Sequence, residues 1–227
     1  PAFDFNPALH ARARGGVAAG LSSSVWSNED GEAGARHLSR ALRLVTAATL
    51  EPTQLTLLSH THASMAALMN DSDSLARWAT GLMSKQYDTG AKPIAEKQGL
   101  TVALAVDAVL AAQKTPDGWT VTGRGLPLPA PAADLIIVRG QSAEQGSPQG
   151  ETCLVVDRFA AATDGLRFTV ANGSASCDFT NVAAHPVGRP GSGTDVMAEL
   201  TTLLRLDRAL IEAGTMKTAL AHAVKQA

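Results

Sequence analysis

The chain has 227 residues, 45% hydrophobic and 18% charged, with 19 Lys+Arg against 21 Asp+Glu and a formal net charge of −2. That length buries a core in one or two domains, and the balanced charge leaves no cationic excess for nucleic-acid phosphates or an anionic membrane, which excludes partners chosen by bulk charge. No apolar run reaches the roughly 18 to 20 residues of a membrane helix, and the N-terminus lacks the basic segment and apolar core of a secretory signal, so a cytoplasmic location is expected. Cys153 and Cys177 fall in separate expected strands without metal spacing and read as packing thiols.

Residues 1–30 read as a turn-rich, mostly irregular entry segment. From Glu32 to Leu50 the positions Leu38, Leu42, Val45 and Thr49 recur at helical spacing, and Pro52 ends that helix. A second helix is expected from about Gln54, with Leu55, Leu58, His62, Met65 and Met69 on one face. It is followed by a turn over Asp71 to Ser74 and a short helix over Leu75 to Met83. After Pro93 the character changes. Val102 to Ala111 and Trp119 to Thr122 flank Thr115-Pro116-Asp117-Gly118, a turn in which Pro presets φ and Gly tolerates positive φ, so a hairpin is expected. Further strands are expected at Leu135 to Arg139, Thr152 to Asp157, Leu166 to Val170 and Ser176 to Thr180. His185 to Gly193 reads as a linker, and one long helix runs from about Thr194 to the C-terminus. The expected fold is α+β: an N-terminal helical domain over 1–93, a middle antiparallel β domain of sandwich or barrel type over 94–188, and the first part of a C-terminal helical bundle over 189–227.

On the last helix Val196, Leu200, Leu203, Leu210, Ile211 and Gly214 form one stripe, and Asp207 sits in the middle of it. A carboxylate there costs several kcal/mol unless it is paired or lines a cavity. It is either a general base with a pKa raised by apolar surroundings, or a structural residue: paired with an Arg of a neighbouring helix, or on a stripe that reaches solvent at that turn. His62 lies on the apolar face of its helix and His60 does not. Without HxxxH spacing, a hydrogen-bonded core histidine is favoured over a metal ligand. Gly188 to Gly193 lacks the Lys-Ser/Thr ending of a phosphate loop, and Ser59, Ser64 and Ser84 sit in no nucleophile elbow.

Four stretches, in order, resemble the acyl-CoA dehydrogenase family. Leu75-Ala76-Arg77-Trp78-Ala79-Thr80-Gly81-Leu82 is similar to its "RWLPxLxxG" helix end. Gly118-Trp119-Thr120-Val121-Thr122-Gly123-Arg124 with Ala133-Asp134-Leu135-Ile136-Ile137-Val138 resembles its "GyxLxGxK … ADlxxV" strands. Gly165-Leu166-Arg167-Phe168, Asp178-Phe179-Thr180-Asn181-Val182 and His185-Pro186 resemble the end of its β domain. Leu206-Asp207-Arg208-Ala209-Leu210 through Gly214 resembles the helix that opens its C-terminal bundle. The resemblance spans residues 60–225.

It implies FAD-dependent α,β-dehydrogenation of an acyl thioester carried by CoA or acyl-carrier protein, in a homo- or hetero-oligomer and without a metal. In some branches a Glu before an Arg on this helix is the base, which implies Asp207 as catalytic base and Arg208 as substrate-binding residue. The family's flavin-contacting "TExxAGSD" phrase is here Ala95-Glu96-Lys97-Gln98-Gly99-Leu100-Thr101. Its aromatic-Ile-Ser/Thr contact is Leu126-Pro127-Leu128-Pro129-Ala130-Pro131, in which the prolines carry no N–H. The chain thus reads as a truncated or degenerate member with an eroded flavin site, expected to be incomplete on its own. The alternative is a non-catalytic, flavin-free binding or scaffolding subunit.

Overall fold

The continuous apolar runs around Ile137 and Val155, buried on both faces, form two neighbouring strands of a closed sheet. The computed structural model describes residues 52–83, 100–128, 133–142, 150–158, 165–171 and 174–226. The expected helix over Glu32 to Leu50 and the phrase Ala95 to Gly99 lie outside these residues. Six strands follow in chain order: β1 (Val102–Thr115), β2 (Gly118–Pro127), β3 (Leu135–Gln141), β4 (Glu151–Asp157), β5 (Leu166–Ala171) and β6 (Ser174–Pro186). β1 and β2 make the expected hairpin, closing at Thr115↔Gly118 around Pro116-Asp117, where Gly118 takes a φ of 143°.

β3 pairs with β1 from Val102↔Leu135 to Ala111↔Gln141, β4 with β3, and β6 with both β4 and β2. The ring β1-β3-β4-β6-β2 is thereby closed into a barrel, with β5 added along β6. The α+β class and the barrel agree with expectation, with one difference: β1 and β3 run parallel. That pairing needs a crossover, and β2 lies within it, which no local pattern announces. β6 also runs on through His185-Pro186, which pair with Val155 and Leu154, so those two residues belong to a strand and not to the expected linker.

Closure sorts adjacent residues onto two faces. Ile136, Val138, Leu154 and Val156 point into the barrel with Trp119, Val121, Leu126, Phe179 and Val182. Leu135, Ile137, Cys153 and Val155 point outward into a second apolar layer. That layer is covered by three helices, α1 (Pro52–Asn70), α2 (Ser72–Met83) and α3 (Gly193–Gln226), through Ala63, Leu68, Trp78, Met197 and Leu200. The expected turn over Asp71 to Ser74 shrinks to Asp71 alone. Its carboxylate accepts the N–H of Ser74 at 2.9 Å, capping α2, and the N–H of Gly188 at 3.1 Å. α3 starts against β4 with no room for a side chain: a Cβ on Gly193 would stand 2.6 Å from the Cys153 nitrogen.

Candidate functional site

The polar residues of the helical layer converge where α1 lies between β1 and α3. A helix buried on two sides can aim residues two apart, about 200° around the axis, into different neighbours. His60 and Thr61 meet the backbone of β1. The N–H of Leu104 donates to His60 Nδ1 at 3.0 Å, and the N–H of Val102 donates to Thr61 Oγ1 at 2.9 Å. These side chains take the place of a neighbouring strand for two β1 amides, which would otherwise be buried without an acceptor. His62 meets α3: its Nδ1–H donates to Asp207 Oδ2 at 2.9 Å, with side-chain exposures of 2% and 0%.

The expected α3 stripe is therefore real, with Leu200 buried, Leu203 and Leu204 packed against the outer apolar layer and Asp207 buried after them. Among the described residues Asp207 is bonded by His62, 145 residues away. His62, read as a hydrogen-bonded core histidine, is one. Arg208 lies on the opposite, exposed side of α3, 82% accessible, with its Nε donating to Glu212 at 3.0 Å. Burial pushes His60 down to about 4, partly opposed by the negative charge of Asp207. An Nδ1 that accepts a backbone N–H has no proton, so His60 is the neutral Nε2–H tautomer. The unbroken polar run Ser59-His60-Thr61-His62 in the middle of the helix was the available signal for this junction. Single-face periodicity could not use it, because it assigns only one side of α1 to the core.

The other polar candidates are engaged internally. Ser64 Oγ–H donates to the His60 carbonyl, and the N–H of Gly191 donates to Thr152 Oγ1 at 3.1 Å. With the Gly188 N–H on Asp71, the glycine cluster uses these donors within the fold and does not cradle a phosphate. Ser84 lies outside the described residues. Cys153 and Cys177 are buried, and burial raises both thiols to about 12, so neither is a thiolate. Among the described residues no group of three or more His, Cys, Asp or Glu could hold a metal.

At the described positions that the resemblance sets beside a flavin, the polar groups have partners in the chain itself. Leu126 and Leu128 are buried as part of the barrel core. Leu126 and Pro127 pair with Cys177 and Ser176, and the Leu128 N–H donates to the Ala175 carbonyl at 3.0 Å. The N–H and the Oγ–H of Thr101 both donate to Asp134 Oδ2, at 3.0 and 2.9 Å. These donors are used within the fold; Glu96, Gly99 and residues 129–131 lie outside the described residues.

Residues 2–89 match the family model of the adaptive response protein AidB N-terminal domain. Over 98% of its length the chain is 24% identical to the putative acyl-CoA dehydrogenase AidB of Escherichia coli K12, of which it spans 44%. Several solved structures share its architecture. Caenorhabditis elegans ACDH-11, in complex with C11-CoA, superposes with a TM-score of 0.71 at 12% identity, over 91% of this chain and 38% of that one. Butyryl-CoA dehydrogenase of Megasphaera elsdenii superposes with a TM-score of 0.65 at 18% identity, over 98% and 64%. The chain thus spans less than two thirds of each. The resemblance read from the sequence is borne out, and the fold is that of the acyl-CoA dehydrogenases.

Proposed function

From the acyl-CoA dehydrogenase fold of the described residues and the AidB-type match over residues 2–89, we propose that this chain is a flavin-free, non-catalytic relative of the dehydrogenases that serves as a binding or scaffolding subunit. One observation carries the reading: the groups that the resemblance assigns to catalysis are engaged in the protein's own structure. Asp207 is fully buried and accepts from His62, and the backbone around Leu126 to Leu128 is paired within the barrel. A carboxylate held this way clamps α1 to α3; proton abstraction from a bound acyl chain would require it to leave its partner and meet the substrate.

A second reading keeps the family's activity for the whole protein. It takes an acyl thioester of CoA or acyl-carrier protein, FAD, Asp207 as catalytic base and Arg208 as substrate-binding residue. It is favoured by the place of Asp207 at the centre of the buried stripe of α3 in a dehydrogenase fold. FAD, when bound, would supply the hydride acceptor. Both readings take the protein as cytoplasmic and divided at about 93 and 188. Both also take it to be a homo- or hetero-oligomer, supported by the exposure of Met216, Leu220 and Val224 at 66 to 70% on the outer half of α3.

The visible absorption spectrum separates them. Purified protein is expected to be colourless, to stay so after incubation with FAD and removal of the excess, and to reduce no dye with acyl-CoA substrates. Retained flavin bands with acyl-CoA-dependent bleaching would establish the second reading. In that case Asp207→Asn should abolish the bleaching.

A further inference from the structure

The two histidines of α1 hold it from opposite sides, and the chemistry of the two holds differs. His60 ties α1 to the barrel through a lone pair, accepting the Leu104 N–H at 3.0 Å. His62 ties the same helix to α3 through a donated proton, 2.9 Å from Asp207 Oδ2. Protonation leaves the His62 bond intact, because an imidazolium still donates from Nδ1. It destroys the His60 bond, because an imidazolium carries N–H at both nitrogens and would set one donor against another in a buried space.

We propose that His60 is an acid-released pin: its protonation releases the Leu104 amide and loosens α1 from this point of the β1 edge, while Thr61 still holds the Val102 amide and His62 keeps α1 attached to α3. Among the described residues the charge that acts on His60 is that of Asp207 on α3, with His62 two residues further along its own helix. β1 meets it with backbone amides, and the charged residues of β1, Asp107 and Lys114, are exposed. Asp207 supplies the counter-charge for a protonated His60, as its opposing electrostatic effect on His60 already indicates. The loosening falls along a natural seam. The barrel has its own apolar interior, distinct from the layer that the helices cover. This inference does not depend on whether the chain binds flavin or acyl thioester.

The experiment is amide hydrogen exchange on the full chain, resolved by NMR, from pH 7 to pH 4. The protection factor of the Leu104 amide is expected to fall by roughly a factor of 10² as the pH drops from about 6.5 to about 4, while amides of β4 and β6 keep theirs. In His60→Gln, whose side-chain oxygen accepts the same N–H but cannot titrate in this range, that fall should disappear. Loss of protection in β4 and β6 together with Leu104 would mean global unfolding and would overturn the proposal. So would an unchanged Leu104 profile in wild type, or an unchanged pH dependence in His60→Gln. If His60→Gln does not fold, the wild-type imidazole signal decides: His60 is expected to titrate well below the ordinary histidine range, and titration near 6.5 sinks the idea.

Discussion

The two apolar layers meet across β3 and β4, where neighbouring residues serve different interiors. Ile136 and Leu154 look into the barrel, Ile137 and Cys153 into the layer under the helices, and all four are essentially inaccessible. Inside the barrel the polar backbone is satisfied by strand pairing, so the side chains have only to fill space. Under the helices the β1 edge and the α1–α3 contact are completed by side chains: His60, Thr61, His62 and Asp207. The barrel interior therefore tolerates exchange of one apolar shape for another, whereas the helical layer depends on particular donors, acceptors and protonation states.

That contrast can be broken or sharpened by substitution. The largest effect is expected for Asp207→Ala, which leaves His62 buried without its carboxylate and should cost about 3 to 5 kcal/mol in chemical denaturation. A loss below about 1 kcal/mol would show that the pair contributes little to holding α1 on α3. Acid should come next. His60 sits at about 4 in the folded chain against about 6.5 unfolded, so the unfolded state binds more protons between those values. Stability from this group is complete above about pH 6.5, is lost as the pH falls to about 4, and changes no further below. The loss should total about 3 kcal/mol as the difference between wild type and His60→Gln.

Smaller still, Ile136→Val and Ile137→Val remove one methylene from adjacent residues on opposite faces. Each should cost about 1 kcal/mol. Equal losses would mean the layers differ in polar dependence and not in packing density; a much smaller loss at Ile137 would mark the helical layer as the looser one. The smallest effect is expected at Arg208→Ala. Its exposed pair with Glu212 should leave the denaturation midpoint within about 0.5 kcal/mol of wild type.

Legibility in the sequence followed the range of the interaction. The β1–β2 hairpin was readable because its turn chemistry lies within four residues, Thr115 to Gly118. The α3 stripe was readable because helical periodicity is local, and Asp207 stood out as the one acid on it. The barrel was less so: β6 was read only over Ser176 to Thr180, because its continuation through His185-Pro186 has loop composition and is held as strand by pairing with β4. His60 was assigned away from the core because α1 was treated as having a single buried face, while burial against both β1 and α3 gives it two.

By itself, then, the sequence determined the class of the fold, the order of its helices and strands, the hairpin, the buried stripe of α3 and the likeness to the acyl-CoA dehydrogenases. All of these rest on periodicities and phrases a few residues long. Only the tertiary structure decided that β1 and β3 run parallel, that β2 meets β6 to close the barrel, and that Asp207 meets His62. Each of these depends on which distant segments come into contact. The free energy of such contacts belongs to the pair: a buried carboxylate demands a partner, but the demand is the same whichever donor the folded chain delivers.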